Sequence, residues 1–497
     1  MKDLKERTIR GGSARVAALA ANFFLRVVSL MILARLLEPK DFGLLGMVTA
    51  VTGVLSLFRD FGLGAAAIQR SDVTEEQTST LFWINVLVGA ALTLITGALA
   101  PAVSRFYHEP RLWAVTWVVA LGFLVNGAGV QHSVRLQRQM RFTTLASIDV
   151  VSLVLSTAIA IVAAKAGYGV WALVTTTVSF PLIMTCGLWF ATAWIPGMPC
   201  RGVGIRSMMR FGGTLTLNGL VLYLASNGEK VLLGRFWGAE ALGIYGRAYQ
   251  LIRIPTDNLN TAVGDVAFSA LSRIQDDPGR LRNYFLKGYS LVLMLTVPLT
   301  VSCALFADDT VLVMLGAKWK AAASLFRLLA PTMLVFAISN PLGWLLSSIG
   351  MVGRGLKIAL VLGPLMIVSY VLGLSYGPKG VAFAYSTIMI LWLIPGILWC
   401  INGTVISFRD IVSTVSRPLV SIIPAAGVAF AATLLFGARM SALVRLVTGN
   451  AILFALYFSV LLFAAGQKTF YMDLFRGMKA TASKKRDPAS ASLGLDN

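Results

Sequence analysis

The sequence predicts an all-α polytopic membrane protein with about fourteen transmembrane helices. Composition is the first reason. The 497 residues are 57% hydrophobic and only 13% charged, whereas soluble domains carry about 25% charged residues. Mean hydropathy is +0.77. Spacing is the second reason. Apolar windows of about 20 residues recur along almost the whole chain, each long enough to cross ~30 Å of hydrocarbon as a helix. Barrel strands would be about half that length and would alternate. The third reason is charge placement: basic residues gather in alternate connections, as the positive-inside rule requires.

The first window, 14–37, follows the basic stretch MKDLKERTIRGGSAR. Its apolar run is too long for a signal-peptide core and no cleavage site follows, so it reads as a span that stays in place. The second, 42–67, is uncharged except for Arg59 and Asp60. An ion at membrane depth costs at least ~2.5–3.5 kcal/mol. Arg59 therefore either faces an internal cavity or lies about two turns from the inner interface and snorkels. Windows three to six lie near 78–100, 112–131, 143–165 and 169–192. Window seven, 211–236, leads into 240–268, which is long, contains Pro255 and holds many polar residues. The remaining six lie near 284–306, 320–348, 356–375, 379–402, 415–436 and 441–465.

With a cytoplasmic N-terminus, the even-numbered connections are cytoplasmic too. They hold RLQRQMR (135–141), Arg201, Arg206, Arg210, Arg273, Arg280 and Arg282, and the C-terminal cluster Lys484, Lys485 and Arg486. That side carries about 25 basic residues and the other about 9. Both termini are thus expected inside, and the polar tail TASKKRDPASASLGLDN is expected to be disordered. A net charge of +21 would suggest nucleic acid in a soluble chain. Here most of it marks cytoplasmic loops, and no nucleic-acid partner is expected. Cys186, Cys200, Cys303 and Cys400 are scattered without metal spacing, and His108 and His132 stand alone, so no metal site is expected. No GxxxxGKS motif for ATP is present. No nucleophile–base–acid set stands in a loop, and the loops are too short for a catalytic domain. The expectation is a transporter rather than an enzyme, without a cofactor.

Two echoes suggest an internal repeat. ILARLLEPKDFGLL (32–45) overlays VLLGRFWGAEALGIY (231–245), with Arg35 on Arg235 and Gly43 on Gly243. YGVWALV (168–174) echoes KGVAFAY (379–385). Spans one and two thus echo seven and eight, and five and six echo eleven and twelve. A repeat of six spans preserves orientation, which implies two pseudo-symmetric six-helix lobes about an axis along the membrane normal, with a cavity between them. The expected division is a tail at 1–13, an N-lobe at 14–200, a C-lobe at 201–402, two extra helices at 403–465 and a tail at 466–497.

The eighth window carries the most chemistry. GIYGRAYQLIRIPTDNLNTAVGDV sets Arg247, Gln250, Arg253, Asp257 and Asn260/Thr261 at steps of three or four, one polar stripe on an otherwise apolar helix. In lipid such a stripe must face protein or water. A structural seam between helices, or a re-entrant segment, is the alternative, but two arginines exceed what a hydrogen-bonded seam needs. Pro255 removes a backbone donor and is the expected hinge. Asn22 and Arg26 share a face of the first span, and Lys230 stands in the seventh beside Glu229. Arg26, Arg59, Lys230, Arg247 and Arg253, with Asn22, Gln250 and Asn260, are the expected substrate-binding set. Guanidinium suits phosphate oxygens, so the substrate is expected to be anionic. The amides would serve sugar hydroxyls. Asp149, Asp257 and Asp265 are candidates for a coupling ion, though each could equally balance an arginine.

LARLLEPKDFGLLGM (33–47), DFGLGAAAIQRSDVTEEQTSTLFWINVLVGA (60–90), FSALSRIQDD (268–277) and NPLGWLLSSIGMVGR (340–354) resemble the bacterial Wzx-type polysaccharide flippases, a branch of the multidrug/oligosaccharidyl-lipid/polysaccharide exporter superfamily. The subgroup is similar to the colanic acid exporters. The likeness runs from about residue 10 to about residue 465. It implies a fold arranged like the MATE-type multidrug exporters, two six-helix lobes plus two helices. It also implies a substrate, an oligosaccharide repeat unit on undecaprenyl pyrophosphate, moved across the bacterial inner membrane for exopolysaccharide or O-antigen synthesis. Partners would be the lipid-linked oligosaccharide, the bilayer, and a polysaccharide polymerase with its export machinery. A MATE-like ion-coupled antiporter of small molecules is the first alternative; it would favour an acid-rich cavity. A membrane-embedded glycan polymerase or ligase is the second; it would need a large extracytoplasmic loop.

Overall fold

The structure is a computed structural model that describes residues 22–59, 74–200, 206–437, 440–464, 466–467 and 472. All regular structure among them is helical. Helix α1 covers residues 22–36 and α2 Pro39–Ser56. Then come α3 (Glu75–Tyr107), α4 (Arg111–Arg138), α5 (Phe142–Lys165), α6 (Val170–Thr192) and α7 (Arg206–Ser272). Next are α8 (Pro278–Leu305), the short α9 (Ala307–Met314), a 3-10 turn at Ala317–Trp319 and α10 (Lys320–Ser348). Finally α11 (Val352–Leu374), α12 (Gly377–Ile401) and α13 (Phe408–Phe436) lead to α14 (Ala442–Ser459), which runs on through a π turn at Val460–Ala464. Ten of these helices are long and apolar enough to cross a membrane. Large apolar side chains such as Leu87, Phe190 and Leu391 are exposed, as lipid-facing positions on spanning helices must be.

Within the described residues each expected window meets a helix, residues 14–21 and 60–67 lying outside them, and local sequence explains many of the ends. Pro39 starts α2 at a position where a missing N–H costs nothing. Thr74 and Gln77 cap each other at the start of α3. Asp277 accepts from the Arg280 amide at the start of α8, and Ser407 from the Asp410 amide at the start of α13. Two boundaries differ from the sequence reading. The second window was expected to run to Ala67; α2 ends at Ser56, and residues 60–67 lie outside the described residues. The 18 residues of α2 already rise about 27 Å, close to the hydrocarbon thickness. Windows seven and eight form α7, 67 residues long and broken at Gly238 (φ 80°, ψ −178°). Only glycine takes that backbone readily.

The chain divides into two compact units. The first comprises Met1–Ala248, Met314–Leu325 and Ala359–Tyr385; the second comprises Tyr249–Val313, Phe326–Ile358 and Ser386–Asn497. In the first, α2 crosses the stretch of α7 that follows Gly238 backbone against backbone. A Cβ on Gly43 would strike the Ala239 carbonyl, and one on Gly243 would strike the Pro39 carbonyl. The contact is reciprocal: residues 200 positions apart exchange roles, as a local two-fold requires. Trp319, wholly buried, packs edge-on against Phe42 at 5.3 Å and donates its indole N–H to the Ala34 carbonyl at 2.8 Å.

The second unit has two apolar clusters. One gathers Leu271, Phe285, Tyr289, Leu342 and Ile411; the other gathers Val297, Phe306, Ala425, Leu453 and Tyr457. Charges are paired at its helix ends. Arg282 donates to Asp410 at 2.9 Å, Arg327 to Asp308 at 2.6 Å and Arg445 to Asp309 at 2.6 Å.

Candidate functional site

The polar stripe of α7 is helical throughout, with no re-entrant turn between Ala239 and Ser272. Helical backbone also continues through Pro255, and the break in α7 falls at Gly238. Pro255 still leaves the Leu251 carbonyl without its intrahelical donor.

In the first unit, Arg247 lays its guanidinium over the Phe42 ring at 4.6 Å. Its Nε is buried and has no acceptor. Phe42 in turn meets Trp319, so an aromatic pair supports the cation from one side. Cation–π attraction of this kind is worth about 2 kcal/mol when desolvated, but it leaves the buried Nε–H unsatisfied. A buried donor without a partner costs about 1–3 kcal/mol, more when charged. An anion brought to this guanidinium would remove that cost. Lys230 lies one stretch earlier in α7. It donates to Asn227 Oδ1 at 2.7 Å, and Asn227 donates to the Tyr223 carbonyl at 2.9 Å. Tyr223 ties the same region to α2 through the Thr49 carbonyl at 3.0 Å. Glu229 is almost fully buried at 2% exposure.

In the second unit, Arg253 donates to Asp257 Oδ2 at 3.1 Å and reaches the Tyr249 hydroxyl at 3.5 Å. Its guanidinium also lies 5.5 Å from the Phe336 ring centroid. Asp257 thus serves here as a partner of Arg253. Gln250 Oε1 and Asn260 Oδ1 are both buried without a donor. Asn260 borders a small cavity of about 10 Å³ that Thr256, Thr296, Phe336, Asn340 and Trp344 also line.

Five further residues belong to the expected set, Asn22, Arg26, Arg59, Asp149 and Asp265. Asn22, at the first described position of α1, has a buried Oδ1 without a donor. Arg26, one turn on, is exposed. Arg59 lies in the turn after α2, its amide bonded to the Ser56 carbonyl, and its side chain is exposed. Because α2 ends at Ser56, Arg59 stands outside that helix. Asp60 falls outside the described residues. Asp149 is half-buried on α5. The side chain of Asp265 also lies outside what is described. Among the described residues, no group of three His, Cys, Asp or Glu side chains could hold a metal.

Sequence reasoning missed the aromatic supports. Phe42, Trp319 and Phe336 read as packing, and only a fold shows which ring lies under which cation. It also missed the surroundings of His132, which is fully buried, bonded to Thr192 Oγ1 at 2.7 Å and stacked on Trp189. Beside it, Arg135 grips both oxygens of Glu75 at 2.7 and 2.8 Å, and Trp194 donates to the same carboxylate at 3.1 Å. This cluster pins the irregular stretch 193–200 against α3 and α4.

Residues 32–324, more than half of the chain, match the family described as polysaccharide biosynthesis protein. The chain is 32% identical over 293 residues to the teichuronic acid biosynthesis protein TuaB of Bacillus subtilis (strain 168), covering 59% of this chain and 61% of that protein. It is 26% identical over 395 residues to the lipopolysaccharide biosynthesis protein WzxC of Escherichia coli (strain K12), covering 78% and 80%. With the succinoglycan biosynthesis transport protein ExoT of Rhizobium meliloti (strain 1021) it shares 23% identity over 63% of this chain and 64% of that one. Among solved structures, the lipid II flippase MurJ in an inward closed conformation superposes with a TM-score of 0.72, at 13% identity, over 93% of this chain and 99% of that chain. An inward-facing multidrug resistance MATE family transporter of the MOP superfamily superposes with a TM-score of 0.62, at 14% identity, over 81% and 99%. These structures share the fold, and by sequence the chain belongs to the Wzx-like family of polysaccharide biosynthesis proteins.

Proposed function

We propose that this protein is a flippase that moves an oligosaccharide repeat unit, carried on undecaprenyl pyrophosphate, from the inner to the outer leaflet of the bacterial inner membrane. The supporting observation is Arg247. Its guanidinium is backed by an aromatic ring, with no carboxylate paired to it among the described residues, and its Nε is buried without an acceptor. Such a group draws an anion, and a diphosphate offers the planar, multidentate acceptor that guanidinium fits. Arg253 stands six residues on, already held by Asp257 and Phe336. Arg26, Arg59, Lys230, Asn22, Gln250 and Asn260 complete the proposed set, the amides serving sugar hydroxyls.

The mechanism is alternating access of two six-helix lobes, residues 14–200 and 201–402, with residues 403–465 as two further helices. The reciprocal crossing at Gly43 and Gly243 supports the repeat on which that division rests. Both termini are on the cytoplasmic side. Energy comes from an ion gradient or the membrane potential, with Asp149, Asp257 and Asp265 as acidic groups open to ion coupling.

The test is polymer export in a strain lacking its own flippase, alongside binding of the lipid-linked substrate to purified protein. Arg247→Ala and Arg253→Ala should each weaken binding about 30-fold or more, because removing one partner of a buried charge pair costs ~2 kcal/mol or more. Export should fall while the amount of protein in the membrane is unchanged. Full export by both variants would overturn the proposal. Drug resistance conferred by the wild type, without glycan export, would replace it with an antiporter.

A further inference from the structure

Arg235, which the internal repeat pairs with Arg35, has no part in the proposed substrate set. It stands three residues before the break in α7, about 4.5 Å along the helix. Three helix ends meet at this level. The Arg235 guanidinium lies 5.7 Å from the ring centroid of Phe106, the last residue but one of α3, and 5.8 Å from that of Phe236. Trp237 donates its indole N–H at 2.8 Å to the carbonyl of Leu374, which ends α11. With the cytoplasmic N-terminus proposed above, all three ends lie on the outer side. Aromatic side chains gather at such membrane–water boundaries.

These rings are not a buried seam. Phe106 is 45% exposed, Trp237 47% and Phe236 64%, so the patch opens outward from the helix ends. Arg235 is half-buried and pairs with no carboxylate among the described residues. Arg105, beside Phe106 in the last turn of α3, is exposed and likewise unpaired with any acid among them. The acids nearby in sequence do not serve either cation. Glu109 bonds Arg111 at 2.9 Å and lies 4.0 Å from Lys40, while Glu240, past the Gly238 turn, is exposed. A ring meets only the face of a guanidinium. The N–H donors point outward in its plane, toward whatever lies at the boundary.

We infer that Arg235 and Arg105, framed by Phe106, Phe236 and Trp237, bind the phosphate of an anionic phospholipid in the outer leaflet. A phosphate accepts two N–H groups of one guanidinium side by side. A headgroup without a countercharge keeps its whole negative charge for the two cations. The exposed rings give the adjoining glycerol and acyl chains an apolar surface to lie on. Bulk phospholipid is the occupant because the patch opens toward the bilayer, where phospholipid far outnumbers any transported lipid. A lipid held here joins the ends of α3, α7 and α11 at the turn in α7. The site does not depend on which lipid the protein transports.

The experiment uses the purified full-length protein in detergent and a photoreactive phosphatidylglycerol, with crosslinked peptides mapped by mass spectrometry. The site predicts saturable labelling of the peptides that carry residues 105–107 and 235–237. Unlabelled phosphatidylglycerol should compete for it, and phosphatidylcholine at the same concentration should not. Arg235→Gln and Arg105→Gln should each cut that labelling about fivefold, with labelling of other peptides unchanged. Arg235→Lys keeps the charge but not the planar fork and should fall between. Arg105→Gln alters an exposed side chain, so it is read in folded protein even if a change at Arg235 lowers the yield. Equal competition by phosphatidylcholine would show an apolar contact only and overturn the assignment, as would unchanged labelling in both glutamine variants. Displacement of the label by undecaprenyl pyrophosphate at far lower concentration than by phosphatidylglycerol would make the patch a station for the transported lipid, and would also overturn it.

Discussion

At the scale of single residues, cations in the apolar body of this protein are held by rings as well as by carboxylates. Trp319 is the anchor of one such arrangement. It is fully buried, meets Phe42 edge-on and bonds the Ala34 carbonyl, while Phe42 carries Arg247 on its face. Trp319→Ala should therefore cost about 3–5 kcal/mol, the usual range for emptying a buried aromatic position. Trp319→Phe keeps a ring and loses only the indole hydrogen bond, worth about 0.5–1.5 kcal/mol. Thermal unfolding of the two purified variants should rank them in that order by a wide margin. Equal, small shifts would show that the indole is not a structural anchor. The arginines themselves were legible in the sequence, because an ion in an apolar window stands out against its cost. Their partners were not. Phe42 and Trp319 are 277 positions apart, and nothing in the composition of either segment pairs them.

At the scale of elements, the 200-residue repeat became a physical contact. Gly43 and Gly243, matched by overlaying two short stretches, each lie where the other helix's backbone passes. Small residues permit this approach in lipid, where close packing takes the place of hydrophobic drive. Gly43→Ala and Gly243→Ala should be alike in effect, since each pushes a methyl into a backbone carbonyl that cannot rotate away. Both should sharply lower the yield of folded protein, measured by size-exclusion profile and thermal midpoint. Gly246→Ala is the comparison. Nothing lies within 4 Å of its added carbon, so the better helix former should be neutral or stabilising by up to ~1 kcal/mol. If the first two variants behave like the third, the helices do not cross as closely as the coordinates place them. Helix ends were less legible than helix centres. The end of α2 at Ser56 was not legible because hydropathy does not register a turn inside an apolar run. Pro255 drew the expected hinge because proline is the strongest break signal, and the backbone is helical through it; the break at Gly238 required a backbone angle that the letter G only permits.

At the scale of the whole molecule, α7 carries the burden of the topology. Its 67 residues would extend ~100 Å if straight, about three times the hydrocarbon thickness. The positive φ at Gly238 divides it, and the two arms come close again where Gly234 faces Leu242. The segment must then cross twice, and everything downstream inherits its orientation from that turn. With a cytoplasmic N-terminus, three crossings separate Lys40 from Arg138, four separate Arg138 from Arg280, and ten separate Lys40 from Lys379. Lys40 and Lys379 should therefore share the outer side, and Arg138 and Arg280 the inner side, in keeping with the positive-inside bias. All four side chains are exposed, so single cysteines at these positions can report it. The four native cysteines are free thiols and would first be replaced. A membrane-impermeant maleimide applied to spheroplasts should label Lys40→Cys and Lys379→Cys, and should reach Arg138→Cys and Arg280→Cys only after the membrane is opened. Outer labelling at Arg280 with protection at Arg138 would mean that α7 crosses an odd number of times. The six-span repeat would then lose its parity, and with it the parallel lobes on which the transport mechanism depends.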